Sequence, residues 1–129
     1  MRLRIRKLSE EPGIDEKEEG YSGVNTVWVV LKRNDLAGFS SRIFRMEPGG
    51  RTKMHTHDRE HVAVVIRGSC RVDTGTEFKE VGEGSIIAVP TKTPHRFLNS
   101  GPEGLVLLIM NFYTATGAPE AEAAKGGEP

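Results

Sequence analysis

The chain has 129 residues, 36% of them hydrophobic, which suffices for one domain with its own core. Its 18 basic and 18 acidic residues cancel, so the overall charge favours neither nucleic acid nor an anionic membrane as a partner. The single cysteine, Cys70, excludes an intramolecular disulfide, and no apolar run has signal-peptide or membrane-spanning length, so we expect a cytoplasmic protein.

The first 23 residues predict an N-terminal strand followed by an acidic connector. Basic and apolar residues alternate from Arg2 to Arg6, which is the pattern of a strand with two unlike faces. Residues 9–23 then combine proline and glycine with several acidic side chains, a composition typical of a solvated connection. We therefore place the start of the main domain at Val24.

Residues 24–113 predict an all-β domain, because short β-rich runs alternate with turn signals throughout. Strands this short and regular favour a sandwich or a barrel, in which closing the sheet hides its edges and encloses a cavity. Residues 114–129 offer almost no apolar surface to bury, so we expect a mobile tail. The predicted strands are 26–31, 39–46, 61–67, 69–73, 77–81, 85–89, 95–98 and 105–111.

All four histidines fall within one window of the sequence: His55, His57, His61 and His95. Side chains two apart on a strand share a face, so His55 and His57 project together, and a tight turn through residues 58–60 can bring His61 beside them. His95 would arrive from a distant strand. Because four unrelated surface imidazoles would cluster in this way only by accident, we interpret the four as ligands of a metal ion.

Two stretches of the chain resemble the sequence motifs of the cupin superfamily. The first motif reads Gly, five residues, His-x-His, three or four residues, Glu, six residues, Gly, and the matching positions are Gly49, His55, His57 and Gly68. The second reads Gly, five residues, Pro-x-Gly, two residues, His, three residues, Asn, and the matching positions are Gly84, Pro90, His95 and Asn99. The resemblance covers about residues 24–112 and implies a small jelly-roll β-barrel, a double-stranded β-helix.

The chain departs from these motifs at two positions. Lys92 stands where the second motif has glycine, and His61 stands where most cupins carry a glutamate ligand. The second departure resembles the all-histidine subset of single-domain cupins, which implies one manganese or iron ion per chain and oxygen-dependent chemistry. Imidazole also suits zinc, nickel and copper, which are the alternatives. The resemblance implies a homodimer as well, with the strand from Arg2 to Arg6 as an element for pairing two subunits.

Four neutral imidazoles leave the charge of a divalent ion uncompensated, so such a site favours an anionic small-molecule ligand. Our leading hypothesis is a metal-dependent oxidoreductase, a dioxygenase acting on a small organic molecule that chelates the ion through two oxygens. A non-catalytic binding or sensing domain is the alternative. A metal-assisted isomerase or lyase is third, because such chemistry needs a base and no ligand is a carboxylate. Glu60 is only a weak candidate base, since strand parity points it away from His61.

Strand parity also suggests residues that line the pocket. Phe97 shares a face with His95, and Arg42 shares a face with Phe44, where a buried arginine would bind a substrate carboxylate. The opposite face of that strand, formed by Ser41, Ile43 and Arg45, is an equally good candidate for the interior. The last strand is apolar on both faces, so parity leaves open whether Leu107 or Leu108 points inward.

Overall fold

A computed structural model describes residues 3–30, 38–56 and 60–113 of the protein. These residues form one turn of 3-10 helix, Leu8–Glu10, and a series of strands that we number in chain order. The strands are β1 (Ile14–Asp15), β2 (Ser22–Val30), β3 (Phe39–Arg51), β4 (Glu60–Arg67), β5 (Cys70–Asp73), β6 (Phe78–Val81), β7 (Ile86–Val89), β8 (Arg96–Asn99) and β9 (Leu105–Phe112). Across the described residues, no helix has the length and apolar character needed to cross a membrane.

The strands form one antiparallel sheet in the order β6–β5–β8–β3–β9–β4–β7, with β2 added to β3 and β1 to β2. Strand β3 changes partners along its length. Residues 41–46 lie between β2 and β9, whereas Arg51 at the end of β3 pairs with Leu98 of β8. The sheet therefore curls into a half-barrel, so the prediction of an all-β fold is confirmed.

One face of the curled sheet carries the hydrophobic core. Along β9 every second side chain is fully buried, beginning with Leu105, Leu107 and Ile109. Cys70 is buried in the same core, and this burial raises the pKa of its thiol to about 12, so Cys70 packs there as a small apolar side chain. The other buried apolar members of the core are Val24, Phe44, Met46, Ala63, Val65, Val89 and Phe97.

The N-terminal strand predicted from Arg2 to Arg6 was wrong for the residues that the structure describes. Residues 3–7 belong to no strand, and Leu3 and Ile5 are 89% and 87% exposed. The segment is held instead by Arg6, which donates a hydrogen bond to the carbonyl oxygen of Trp28 at 2.9 Å and pairs with Glu11 at 2.7 Å. The carbonyl of Trp28 on the outer edge of β2 thus accepts from a side chain rather than from a backbone N–H, so alternation alone did not make a strand.

The predicted connector at residues 9–23 also contains regular structure. Strand β1 pairs Ile14 with Thr26 of β2, and β2 itself begins at Ser22, ahead of the predicted strand start at residue 26 and of the domain start placed at Val24. Strand β3 runs to Arg51, five residues beyond the predicted end at residue 46 and through a Pro-Gly-Gly sequence. The predicted tail at residues 114–129 lies outside the described residues, as do positions 57–59 of the predicted histidine turn.

Candidate functional site

The end of β3 and the start of β8 bring two predicted ligands together. Thr52 donates its backbone N–H to the carbonyl of Phe97 at 2.9 Å, and its hydroxyl oxygen accepts the N–H of Phe97 at 2.9 Å. His55 and His95 then form an antiparallel bridge with backbone hydrogen bonds of 3.2 and 3.1 Å. Because directly opposed residues of an antiparallel pair project to the same face, both imidazoles lie on one side of the sheet.

His61 reaches the same place from β4. It is 3% exposed, as is His95, and it shares one face of the strand with buried Ala63, so its side chain points into the barrel. The ring centroids of His61 and His95 are 5.1 Å apart, and those of His55 and His95 are 5.2 Å apart. Three of the four predicted ligands are therefore neighbours in space, although they come from three separate segments of the chain.

A hydrogen bond fixes the tautomer of His95. Its Nδ1 lies 2.8 Å from the carbonyl oxygen of Thr93. A carbonyl oxygen can only accept, so Nδ1 carries the hydrogen, and Nε2 of the neutral ring keeps its lone pair. Metal-binding histidines are commonly oriented by such a bond from their other ring nitrogen. This is the tautomer that a metal ligand bound through Nε2 would need.

The turn that leads to His95 keeps its shape without the expected glycine. Lys92 has φ of 62°, and it is the only non-glycine residue in the described part of the chain with a positive φ. This left-handed conformation is one that glycine adopts readily and a lysine adopts at a cost of about 1–2 kcal/mol. The departure from the motif therefore changes the strain in the turn rather than the path of the backbone to His95.

Asn99 secures the other end of β8. Its amide Nδ2 donates to the carbonyl oxygens of Met46 and Glu103 at 2.9 and 2.8 Å, and its Oδ1 accepts the N–H of Gly101 at 3.0 Å. The side chain is 4% exposed. Its role is structural, because it ties β3 to the loop between β8 and β9.

The three described histidines line one small cavity inside the barrel, together with Arg42, Phe44 and Phe97. The space that the centre of a water molecule can occupy there is about 10 Å³, enough for about one water or one ion. Leu107 is fully buried in the core and does not line this cavity. Glu60 does not line it either, because it directly precedes His61 on β4 and therefore points to the opposite face of the strand. Lining residues that our sequence analysis missed are Tyr21, Thr52 and Ile109.

Arg42 is held against the cavity by two aromatic rings. Its guanidinium carbon lies 4.5 Å from the ring centroid of Phe44 and 5.0 Å from that of Trp28, which faces it on β2. Contacts of this kind between a cation and an aromatic face are attractive and favour a fixed position. Arg42 therefore places a positive charge on the wall of the histidine cavity.

Two further polar groups belong to the surroundings of the site. Burial raises the pKa of Tyr21, so its phenol stays protonated at neutral pH and can donate a hydrogen bond. Asn111 lies opposite His61 in the β4–β9 ladder and is 1% exposed. Its Oδ1 accepts no hydrogen bond within the described part of the chain. A buried acceptor of this kind commonly marks the place of a water or another bound group.

No group of three or more His, Cys, Asp and Glu side chains among the described residues is arranged as a metal site. His57, the fourth predicted ligand, lies outside those residues. The residues that are described nevertheless have the chemistry that an ion needs. They supply imidazole side chains, a bond from Nδ1 of His95 to Thr93 of the kind that orients metal ligands, and a cavity of about the size of an ion.

Comparison with known proteins gives a family and several relatives. A family model described as the cupin domain matches residues 42–111, which is 70 of the 129 residues. The 1-methylthio-D-xylulose 5-phosphate methylsulfurylase of Rhodospirillum rubrum is 28% identical over 104 residues, covering 77% of this chain and 66% of that protein. The chain thus spans just under two thirds of the length of that relative.

Solved structures share the fold. The polyketide cyclase RemF from Streptomyces resistomycificus matches with a TM-score of 0.75 and 23% identity, over 87% of this chain and 80% of that one. A protein described as a predicted oxalate decarboxylase from Thermotoga maritima has a TM-score of 0.75 and 16% identity, over 84% of this chain and 98% of that one. At these identities the likeness shows the fold alone, and it confirms the jelly-roll prediction.

Proposed function

The chain belongs to the cupin family, and we propose that it is a metal-dependent enzyme for a small organic molecule that binds the ion through two oxygens. The observation that carries this proposal is the ion-sized cavity walled by His55, His61 and His95. Each imidazole is a neutral nitrogen donor suited to a divalent transition metal. The polar part of the cavity wall consists of these imidazoles and a few neighbouring groups, and the rest of the wall is apolar. An ion bound by the imidazoles explains this lining better than an organic ligand does.

The proposed ligands are His55, His57, His61 and His95, holding one divalent ion per chain. Manganese or iron is our first choice, and zinc, nickel and copper are the alternatives. No carboxylate is found among the described residues that line the cavity, so the ion would keep its full positive charge. Arg42 adds a second positive charge at the same wall. A substrate that carries a carboxylate, an enolate or another anionic oxygen is therefore favoured.

The residues around the cavity have separate tasks in this proposal. Arg42 binds the anionic oxygen, and the protonated hydroxyl of Tyr21 donates to a second acceptor. Phe44, Phe97 and Ile109 keep water away from the reacting atoms. The bound ion would supply a lowered pKa for a substrate hydroxyl and stabilise the negative charge that develops.

Our first candidate reaction is dioxygenation of a diketone, enediol or catechol. It is favoured because the described cavity residues supply no carboxylate that could serve as the base of an isomerase. Oxygen uptake by metal-loaded protein, measured with an oxygen electrode against a panel of these compounds, is the test. We expect uptake with at least one compound and none with His61→Ala. Metal-loaded protein that consumes no oxygen with any of them would contradict this reaction.

The second candidate is a non-oxidative reaction of a ketose phosphate, which the 28% identical methylsulfurylase favours. A ketose has a carbonyl beside a hydroxyl, so it offers two oxygens to one ion, and a phosphate suits a positively charged wall. The discriminating experiment incubates the metal-loaded protein with 1-methylthio-D-xylulose 5-phosphate under strict anaerobiosis, with and without added thiol, and follows products by NMR. Turnover without oxygen would favour this candidate over dioxygenation.

We also propose that the chain forms a homodimer through its N-terminal segment. Leu3 and Ile5 are almost fully exposed, and Val29 on β2 is 45% exposed. Residues 3–7 lie outside the described strands, so this segment can pair with the same segment of a second copy and cover these side chains. Sedimentation equilibrium should give twice the monomer mass, and Leu3→Ser combined with Ile5→Ser should shift the protein toward monomer.

A further inference from the structure

A second pocket lies directly beside the histidine cavity, between β6 and β7. These strands are the two ends of the sheet, so they are not hydrogen-bonded neighbours. They follow each other in sequence through a tight turn in which Ser85 donates its backbone N–H to the carbonyl of Gly82 at 3.1 Å. The two edges diverge from this turn and leave a pocket of about 280 Å³ between them. That volume is near the lower end of small-molecule sites, which begin at roughly 300 Å³.

Most of the pocket wall is apolar, although Thr74, Glu77, Lys79 and Thr93 also line it. Val72, Val81 and Ile87 line it and pack against the hydrophobic core on their other side. Phe78 on β6 and Ile86 on β7 also line it, yet they are 54% and 72% exposed. Large apolar side chains left in solvent beside a concave surface are typical of a ligand-binding groove. The pocket is therefore built for an apolar group rather than for water.

His95 connects this pocket to the histidine cavity, because it lines both. Thr93, whose carbonyl oxygen accepts the hydrogen bond from His95 Nδ1, lines the apolar pocket as well. A group bound between β6 and β7 thus lies one imidazole ring away from the place proposed for the ion. The histidine cavity alone has room for about one water, so the body of a substrate needs space of this kind next to it.

We propose that the pocket between β6 and β7 holds the apolar body of the substrate, while the two oxygens of the substrate reach the ion past His95. The inference rests on the proposed function and names the substrate class: a small hydroxy acid, keto acid or enediol that carries one ring or a branched alkyl group. The chain's own residues 114–129 are poor occupants, because they contain no leucine, isoleucine, valine, methionine or aromatic residue.

The test compares two acids with the same chelating end, lactate and 3-phenyllactate, on metal-loaded protein. Trp28 is the only tryptophan and lies 5.0 Å from Arg42, so its fluorescence serves to measure both dissociation constants. Burying the phenyl ring should make 3-phenyllactate bind at least about tenfold more tightly than lactate. Methyl NMR of the same samples should show the largest shifts at Val72, Val81 and Ile87.

Two variants and one control locate the effect. Val81→Phe fills the pocket and should reduce the preference for 3-phenyllactate to less than about threefold, since little apolar area is left to bury. Ile86→Ser alters only an exposed rim position, so it keeps the fold while weakening 3-phenyllactate selectively. Ile66→Ser is the matched control, because Ile66 is a strand isoleucine, 48% exposed, that does not line the pocket. It should leave both affinities unchanged.

The outcomes separate this inference from the proposed function. Equal affinities for the two acids on protein that carries an ion would overturn the pocket and leave the metal proposal standing. A preference for 3-phenyllactate that neither Val81→Phe nor Ile86→Ser changes would also overturn the pocket. If Ile86→Ser altered the oligomeric state and not the binding, the rim would be a subunit contact and the inference would be wrong. If the chain bound no ion, shifts of the methyl signals of Val72, Val81 and Ile87 on adding 3-phenyllactate would still support the pocket.

Discussion

His55 and His95 lie directly opposite each other in an antiparallel bridge, with backbone hydrogen bonds of 3.2 and 3.1 Å and ring centroids 5.2 Å apart. The bridge joins two segments that are 40 positions apart in the sequence. Thr52 extends the same pairing to Phe97 on β8, so the position of His55 is set by backbone geometry rather than by side-chain packing alone. A site built in this way is held rigidly by its scaffold.

Arg42 should govern the affinity for anionic ligands. Arg42→Lys keeps the charge and loses the planar fork that stacks between Trp28 and Phe44, so we expect lactate to bind metal-loaded protein about tenfold more weakly. Arg51→Lys is the control, because Arg51 is an exposed arginine at the end of the same strand. Isothermal titration calorimetry gives both affinities. Identical lactate affinities in the two variants would show that Arg42 does not bind the anionic ligand.

Asn99 should be a major contributor to stability. Asn99→Ala leaves the buried carbonyl of Met46 and the carbonyl of Glu103 without this donor, so we expect the free energy of unfolding to fall by about 3 kcal/mol. Asn99→Asp should be as harmful, since a carboxylate cannot donate to those carbonyls. Urea denaturation followed by circular dichroism measures both. A loss below about 1 kcal/mol in both variants would contradict the structural role.

Lys92→Gly should stabilise the protein. The left-handed conformation costs a lysine about 1–2 kcal/mol, whereas glycine adds about 0.5–1 kcal/mol of unfolded-state entropy. We expect a net gain of about 0.5–1 kcal/mol, visible as a higher urea midpoint. Lys92→Val, which is β-branched, should do the opposite. A lower midpoint for Lys92→Gly would contradict the strain ascribed to Lys92.

The strands were predictable because local signals are strong in this chain. Short β-rich runs and turn residues mark each of them, and all eight predicted strands of the main domain are present with shifted ends. The N-terminal alternation failed because a strand also requires a partner edge, which residue pattern does not reveal. Strand β3 continues past its Pro-Gly-Gly sequence, but its register with β2 shifts there, from the pair Val24–Met46 to the pair Ser22–Arg51, and Gly49 takes a positive φ of 81°.

The histidine cluster was predictable from spacing, whereas most of the cavity wall was not. Parity left two choices for β3, and burial of Phe44 and Met46 against the core decides which face turns inward. Tyr21 comes from a segment that looks like a solvated connector, so only the folded chain brings it to the cavity. Ile109 lies on the same buried face of β9 as Leu107. Alternation identifies this face, but it does not show which residue on the face reaches the cavity.

The central claim is that the histidines bind one metal ion. Metal analysis by inductively coupled plasma mass spectrometry, on untagged protein that has been loaded with manganese, iron or zinc and desalted, tests it most directly. We predict close to one ion per chain in the unmodified protein, retention in His61→Glu, which replaces one ligand by another, and loss in His61→Ala. No bound metal in the unmodified chain, or equal metal content in His61→Ala, would contradict the account.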